Sequence, residues 1–162
     1  METDHDPDAE EFARKILLRQ LTERPRSRAE LAVALSKKNV PPPIAQKLLD
    51  RFEEVGLIND ETFARAWAGA RLRSRGLAPR AISMELSQKG IDKEIIDLVL
   101  SEIATEDQDQ AAARLVQKKL KSMSGLDEQT KIRRLTAMLA RKGYSPNTAY
   151  SIVRAELEAE AQ

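Results

Sequence analysis

Residues 85–91, ELSQKGI, have two near copies elsewhere in the chain, ALSKKNV at 34–40 and MLARKGY at 138–144. Each has leucine at its second position, lysine at its fifth, and then Gly or Asn followed by an apolar residue. An apolar residue four places before each leucine extends the pattern backwards as Leu31, Ile82 and Leu135. Spacing of i, i+4 followed by a Gly or Asn stop is that of a helix closed by a left-handed C-cap.

The repetition continues outward from these three helix ends. Leu31, Leu35, Asn39, Val40, Ile44, Leu48 and Leu49 return 51 residues later as Ile82, Leu86, Gly90, Ile91, Ile95, Val99 and Leu100. A further 53 residues on they return as Leu135, Leu139, Gly143, Tyr144, Thr148, Ile152 and Val153. Phe12-Ala13-Arg14 comes back as Phe63-Ala64-Arg65 at the first of these offsets. Seven aligned positions in three copies exceed what chance resemblance among amphipathic helices supplies. The chain is a repeat protein.

Each copy spells three short helices. In the first, Asp6-Pro7 opens a helix carrying Phe12, Ile16, Leu17 and Leu21, which ends before Pro25. Ser27 and Glu30 have capping-box spacing and open the second. Pro41-Pro42-Pro43 stands where a third helix starts, since first-turn N–H groups need no partner; Ile44, Leu48, Leu49 and Phe52 follow, up to Gly56. In the second copy Asn59-Asp60 caps a helix with Phe63, Ala66, Trp67 and Ala70 along one face. Ala78-Pro79 opens its middle helix, and Asp92 caps the helix of Ile95, Ile96, Val99 and Leu100. The third copy is expected at about 109–123, 127–141 and 146–159, with the acidic stretch 105–109 as the joint before it. No segment alternates with period two as a half-buried strand does. The expected fold is all-α: three tandem three-helix repeats, nine helices, stacked into an elongated, curved molecule. The boundaries expected are 12–58, 59–104 and 105–162, preceded by an acidic arm over 1–11 with the composition of a disordered segment.

Composition narrows the chemistry. The 162 residues include no cysteine and one histidine, His5, so disulfides, thiolate metal sites and Ser-His or Cys-His nucleophiles are excluded. None of the six glycines belongs to a phosphate-cradling loop. The carboxylate pairs Glu53-Glu54 and Asp60-Glu61 sit at helix ends, where capping explains them. No catalytic site, metal or cofactor is expected. Without a long apolar run or an apolar N-terminal block, a cytoplasmic location is expected. Trp67 could stack on a base, but Phe63 one turn earlier favours a core role.

Charge is the remaining signal. The formal charge is +1, yet residues 12–154 carry all 27 basic residues against 17 acids, a charge of +10. Six acids crowd residues 1–11 and three more follow residue 155. Residues 110–154 alone stand at +8. Arg114, Lys118 and Lys121 recur at i, i+4, i+7, opposite Ala112, Val116, Leu120 and Met123. Lys131, Arg134 and Arg141 lie on the next helix. Arg71, Arg73, Arg75 and Arg80 surround a helix–helix turn in the second copy, and Arg24, Arg26 and Arg28 surround its equivalent in the first. Such clusters suit phosphates or acidic protein loops. Six aromatics, mostly at core positions, leave no evident base-stacking surface.

VGLINDETFARAWAGARLRSRG (55–76) followed by RAISMELSQKGI (80–91) resembles the central signature of the RecX family of recombination regulators. RPRSRAELAVALSKKNV (24–40) is similar to that family's first-repeat motif and LARKGYSPNTAYSIV (139–153) to its third. Asn59 stands where an acidic residue is usual, and the triple proline at 41–43 replaces ordinary helix-start residues. The resemblance implies a cytoplasmic, monomeric, non-enzymatic protein that binds the groove of the RecA–DNA filament, bridges subunits, and suppresses ATP hydrolysis and strand exchange. Recombination, DNA repair and the SOS response would be modulated through it, with single- and double-stranded DNA contacted weakly or within the filament. Arg26, Arg28, Arg71, Arg75 and Lys89 match the family's basic positions. The charge pattern adds Arg73, Arg80, Arg114, Lys118, Lys121, Lys131, Arg134 and Arg141 as filament-facing candidates. A helix-turn-helix transcription regulator and a scaffold that recognises only protein are the alternatives.

Overall fold

The computed structural model describes residues 6–162, in which nine α-helices and no strand occur. The first three are α1 (Pro7–Glu23), α2 (Arg28–Lys37) and α3 (Pro42–Glu54). The next three are α4 (Asp60–Arg75), α5 (Pro79–Gln88) and α6 (Lys93–Ser101). The last three are α7 (Thr105–Leu120), α8 (Glu128–Arg141) and α9 (Pro146–Glu160). These residues form two compact units, one of residues up to 65 with 86–96, the other of 66–85 with 97–162.

Helix boundaries follow their caps. The Asp6 carboxylate accepts the N–H groups of Asp8 and Ala9, so α1 begins at Pro7. The acidic arm expected over 1–11 is corrected accordingly: residues 7–11 are helical, and 1–5 lie outside the described residues. Glu10 helps hold that turn through a 2.8 Å ion pair to Lys47 of α3. Ser27 and Glu30 close the capping box in both directions. The Ser145 hydroxyl caps α9 at the Thr148 N–H, with Pro146 first in the helix. The stretch 105–109 is not a joint but the first turn of α7, where Glu106 and Asp107 oppose the positive end of the helix dipole.

The three signature turns share one geometry. Asn39, Gly90 and Gly143 have φ of 61°, 77° and 99°. In each, the following N–H donates back to the helix: Val40 to Leu35, Ile91 to Leu86 and Tyr144 to Leu139, all at 3.1 Å. The preceding apolar pairs Leu31/Leu35, Ile82/Leu86 and Leu135/Leu139 are fully buried. The third helices obey the alignment less closely. Ile44 is buried, but its aligned partners Ile95 and Thr148 are half-buried, and Ile96 and Ala149 take the inward place one residue later.

In the first unit α1, α2 and α3 pack on one another around Ala13, Leu17, Leu31, Leu35, Ile44, Leu48 and Leu49. In the second, α7, α8 and α9 do the same around Ala112, Val116, Leu120, Leu135, Leu139 and Val153. The expected apolar line Ala112, Val116, Leu120, Met123 is buried throughout. Two expected core positions are corrected. Phe12 is 50% exposed because Ala13 and Leu17 face inward instead. Trp67 is half-buried at the side of α4, whose inward line is Phe63, Ala64, Ala68 and Leu72, so Ala66 and Ala70 point to solvent.

One joint between successive copies occurs twice. In the first unit the fully buried Ser27 donates its hydroxyl to the Lys89 carbonyl at 2.7 Å, and a Cβ on Gly90 would overlap the Ala29 methyl. In the second unit the Ala78 N–H donates to the Lys142 carbonyl at 2.9 Å, and a Cβ on Gly143 would lie 3.0 Å from that of Ala81. The start of one copy's middle helix thus rests on the glycine turn ending the next copy's middle helix. Tyr144 extends the second joint by donating its hydroxyl to the Gly76 carbonyl at 2.8 Å. Burial, with Asp109 nearby, pushes that phenol up to about 12, so it stays a donor throughout the physiological range.

Candidate functional site

The thirteen basic candidates separate into two groups by what they touch. Five are engaged inside the protein. Arg28 donates its guanidinium to Asp50 at 2.7 Å and Glu53 at 2.9 Å, while its backbone N–H donates to Asp60 at 2.9 Å. Burial pulls its pKa down, but the bonds to Asp50 and Glu53 outweigh this and hold it above the usual value. Lys89 lies 3.8 Å from Glu30, which also accepts from Ser27 N–H and Arg24. Burial raises the Glu30 carboxyl, yet these bonds and charges leave it net below its ordinary range. Arg26 is held by Glu23 at 3.0 Å, with its Nε buried and without a hydrogen-bond partner. Arg71 stacks 4.3 Å above the Trp67 ring and reaches Glu85 at 3.3 Å, and Trp67 donates its indole N–H to the same carboxylate. Lys131 sits 3.6 Å from Glu160.

The other eight are exposed and make no ion pair among the described residues: Arg73, Arg75, Arg80, Arg114, Lys118, Lys121, Arg134 and Arg141. Arg73 and Arg75 end α4, and Arg80 begins α5. Arg114 and Lys118 project from α7, and Lys121 caps it. Arg134 and Arg141 stand on α8. Exposed, unpaired guanidinium and ammonium groups retain their full capacity for carboxylate or phosphate.

The third-copy cations are not one surface. Arg134 and Arg141 line a groove of about 410 Å³ with Lys119, Met123, Ala137 and Met138. Lys121 lines another depression, beside Gln117, Glu156 and Glu160. Lys119 was missing from the expected set because it lies off the i, i+4, i+7 stripe of Arg114, Lys118 and Lys121. Only the packing of α7 on α8 brings it to Arg134 and Arg141.

A larger depression, about 560 Å³, opens in the first unit among Arg28, Glu53, Asp60, Glu61 and Asp92. Its charged lining is acidic apart from Arg28, which suits no polyanion. Burial raises the Asp60 carboxyl above its ordinary range; the Arg28 N–H lowers it, while Glu53 and Asp92 raise it further.

Comparison with known proteins follows the repeats. Residues 13–52, 59–100 and 106–153 match the first, second and third three-helix domains of RecX. The chain is 48% identical to the regulatory protein RecX of Streptomyces coelicolor over 155 residues, covering 96% of this chain and 82% of that protein. It is 43% identical to the regulatory protein RecX of Thermobifida fusca, covering 91% and 80%. The crystal structure of RecX from Lactobacillus salivarius superposes with a TM-score of 0.83 at 21% identity, over 92% of this chain and 97% of that one. No helix among the described residues is long and apolar enough to cross a membrane. Three RecX three-helix domains over most of the chain and relatives at 43–48% identity fit the nine helices among the described residues, and the chain belongs to the RecX family of regulatory proteins.

Proposed function

We propose that this chain is a non-enzymatic, monomeric, cytoplasmic regulator that binds the RecA filament along its groove and lowers its ATP hydrolysis and DNA strand exchange. Three tandem units, the first running from α1 to residue 58 and the others over 59–104 and 105–162, would each contribute to a surface spanning several filament subunits. The observation that supports this reading best is a RecX-type triple repeat that keeps eight exposed cations unpaired. Arg73, Arg75, Arg80, Arg114, Lys118, Lys121, Arg134 and Arg141 carry the contact. Arg26, Arg28, Arg71, Lys89 and Lys131 serve it indirectly, by holding helices in place.

The test is DNA-dependent ATP hydrolysis by the cognate RecA with this protein titrated in. Hydrolysis should fall at ratios well below one protein per RecA subunit. Unchanged hydrolysis at equimolar ratio would overturn the proposal. Binding to DNA alone should weaken steeply with salt and show no preference among sequences, whereas an operator-binding regulator would select one sequence.

A further inference from the structure

The groove between α7 and α8 has a counterpart at the same register in the first copy, and the second copy places other residues at that register. The offsets that align Leu31 with Ile82 and Leu135 also align Ala34 with Glu85 and Met138. In the first copy the corresponding groove contains Ile16, Val33, Ala34 and Lys37, together with Glu30. In the second copy Glu85 binds both Trp67 and Arg71 at this position. In the third copy the Glu30 position is Arg134, the Lys37 position is Arg141, and the Glu85 position is Met138. No acidic residue lines the result.

We infer that this third-copy groove is a docking site for an acidic polypeptide segment carrying an apolar side chain between its carboxylates. Arg134 and Arg141 are two helical turns apart on α8, roughly 10.5 Å along its axis, with Met138 between them on the same face. Lys119 faces them from α7, and none of the three makes an ion pair among the described residues. The floor is apolar: Met123 is buried, and Met138 is half-buried. A phosphodiester backbone would satisfy the cations and leave the methionines uncovered. An extended segment with carboxylates at i and i+4, about 13 Å apart on one face, seats a Leu or Phe at i+2 on the thioethers and brings both carboxylates within reach of the long, flexible Arg134 and Arg141 side chains. Methionine suits such a floor because its unbranched, polarisable side chain adapts to the residue it receives. The inference goes beyond recombinase inhibition and stands without it.

The experiment uses the full chain and three fluorescein-labelled probes. One is a 12-residue peptide of Glu and Ser with a single central Phe; the second replaces that Phe by Ser; the third is a 12-nucleotide oligothymidine. The Phe peptide should bind, and the R134E/R141E variant should bind it at least about tenfold more weakly, since two charge-assisted contacts are lost. The Ser peptide should bind the unaltered protein several-fold more weakly, on the order of one buried apolar side chain. Equal affinity for the two peptides overturns the inference, as does a Phe peptide indifferent to R134E/R141E. Oligothymidine losing as much affinity as the Phe peptide reassigns the groove to nucleic acid. A direct readout on the unaltered protein is the methyl resonances of its methionines. Those of Met123 and Met138 should shift on titration with the Phe peptide while exposed Met84 stays in place; the reverse overturns the site even if the variant misfolds. Recombinase ATP hydrolysis is not read in either assay, so failure here leaves the proposed function standing, and its failure leaves the groove.

Discussion

Gly90 and Asn39 share a left-handed backbone but not a neighbourhood. Asn39 is exposed, so alanine there should cost only the strain of positive φ, about 1 kcal/mol. Gly90 must also leave room for the Ala29 methyl, so Gly90→Ala should cost about 2 kcal/mol or more in urea unfolding. Equal losses at the two positions would show that the close approach carries no energy. Asp60 offers a second test. Its folded-state pKa lies above its unfolded value, so the native state holds this proton more tightly. Ionisation of Asp60 therefore opposes folding above the folded pKa, and the opposition fades as pH falls through that value. Asp60→Asn keeps the oxygen that accepts the Arg28 N–H and removes the charge facing Glu53 and Asp92. The variant should equal or exceed the parent in stability near pH 7, with its advantage gone at about pH 3. Lower stability than the parent across that range would contradict the sign. Among single residues, the left-handed caps were legible in the sequence, because only Gly and Asn adopt them cheaply. The outward turn of Phe12 was not: spacing of i, i+4 names a face without saying which of two adjacent apolar faces the core selects.

Helix ends were the most legible elements, since each cap is a local contract between residues three or four apart. Ser27, Asn59, Asp127 and Ser145 all accept from the N–H three residues on. The start of α7 escaped because Ala104 offers no side-chain cap. What local spacing could not reveal is the second bond of Ser27, to a carbonyl 62 residues away. That bond makes Ser27 more than a cap. Ser27→Ala should cost about 2–3 kcal/mol, the sum of a lost N-cap and a buried carbonyl left without its donor. Ser27→Asp restores the cap alone and should remain destabilised, because a carboxylate cannot donate to the Lys89 carbonyl. Tyr144→Phe, removing the donor to the Gly76 carbonyl, should cost about 1 kcal/mol. Chemical denaturation separates these values, and a Ser27→Asp variant as stable as the parent would refute the role of the joint.

Across the whole molecule, charge segregation was visible in the sequence, but which cations remain available was not. Arg28 and Arg71 match the family pattern as well as Arg75 does, yet they are occupied by carboxylates contributed from other helices. Glutamate at Arg73, Arg75 and Arg80 together should weaken binding to the RecA–DNA filament by at least about tenfold in low salt, with the unfolding midpoint nearly unchanged. Arg28→Ala should do the reverse, lowering stability by roughly 1 kcal/mol while filament affinity per folded molecule is retained. Filament binding by anisotropy alongside thermal unfolding distinguishes the two classes.

Because its two halves differ, the doubled joint is heterologous, and a heterologous contact that does not close on itself can pass from one molecule to the next. Both halves are filled within the chain, the Gly90 turn by Ser27 and Ala29 and the Gly143 turn by Ala78 and Ala81. Opening either joint would bare a helix start and a glycine turn that fit those of a second copy, so the contacts that hold one copy to the next also keep copies from exchanging between molecules.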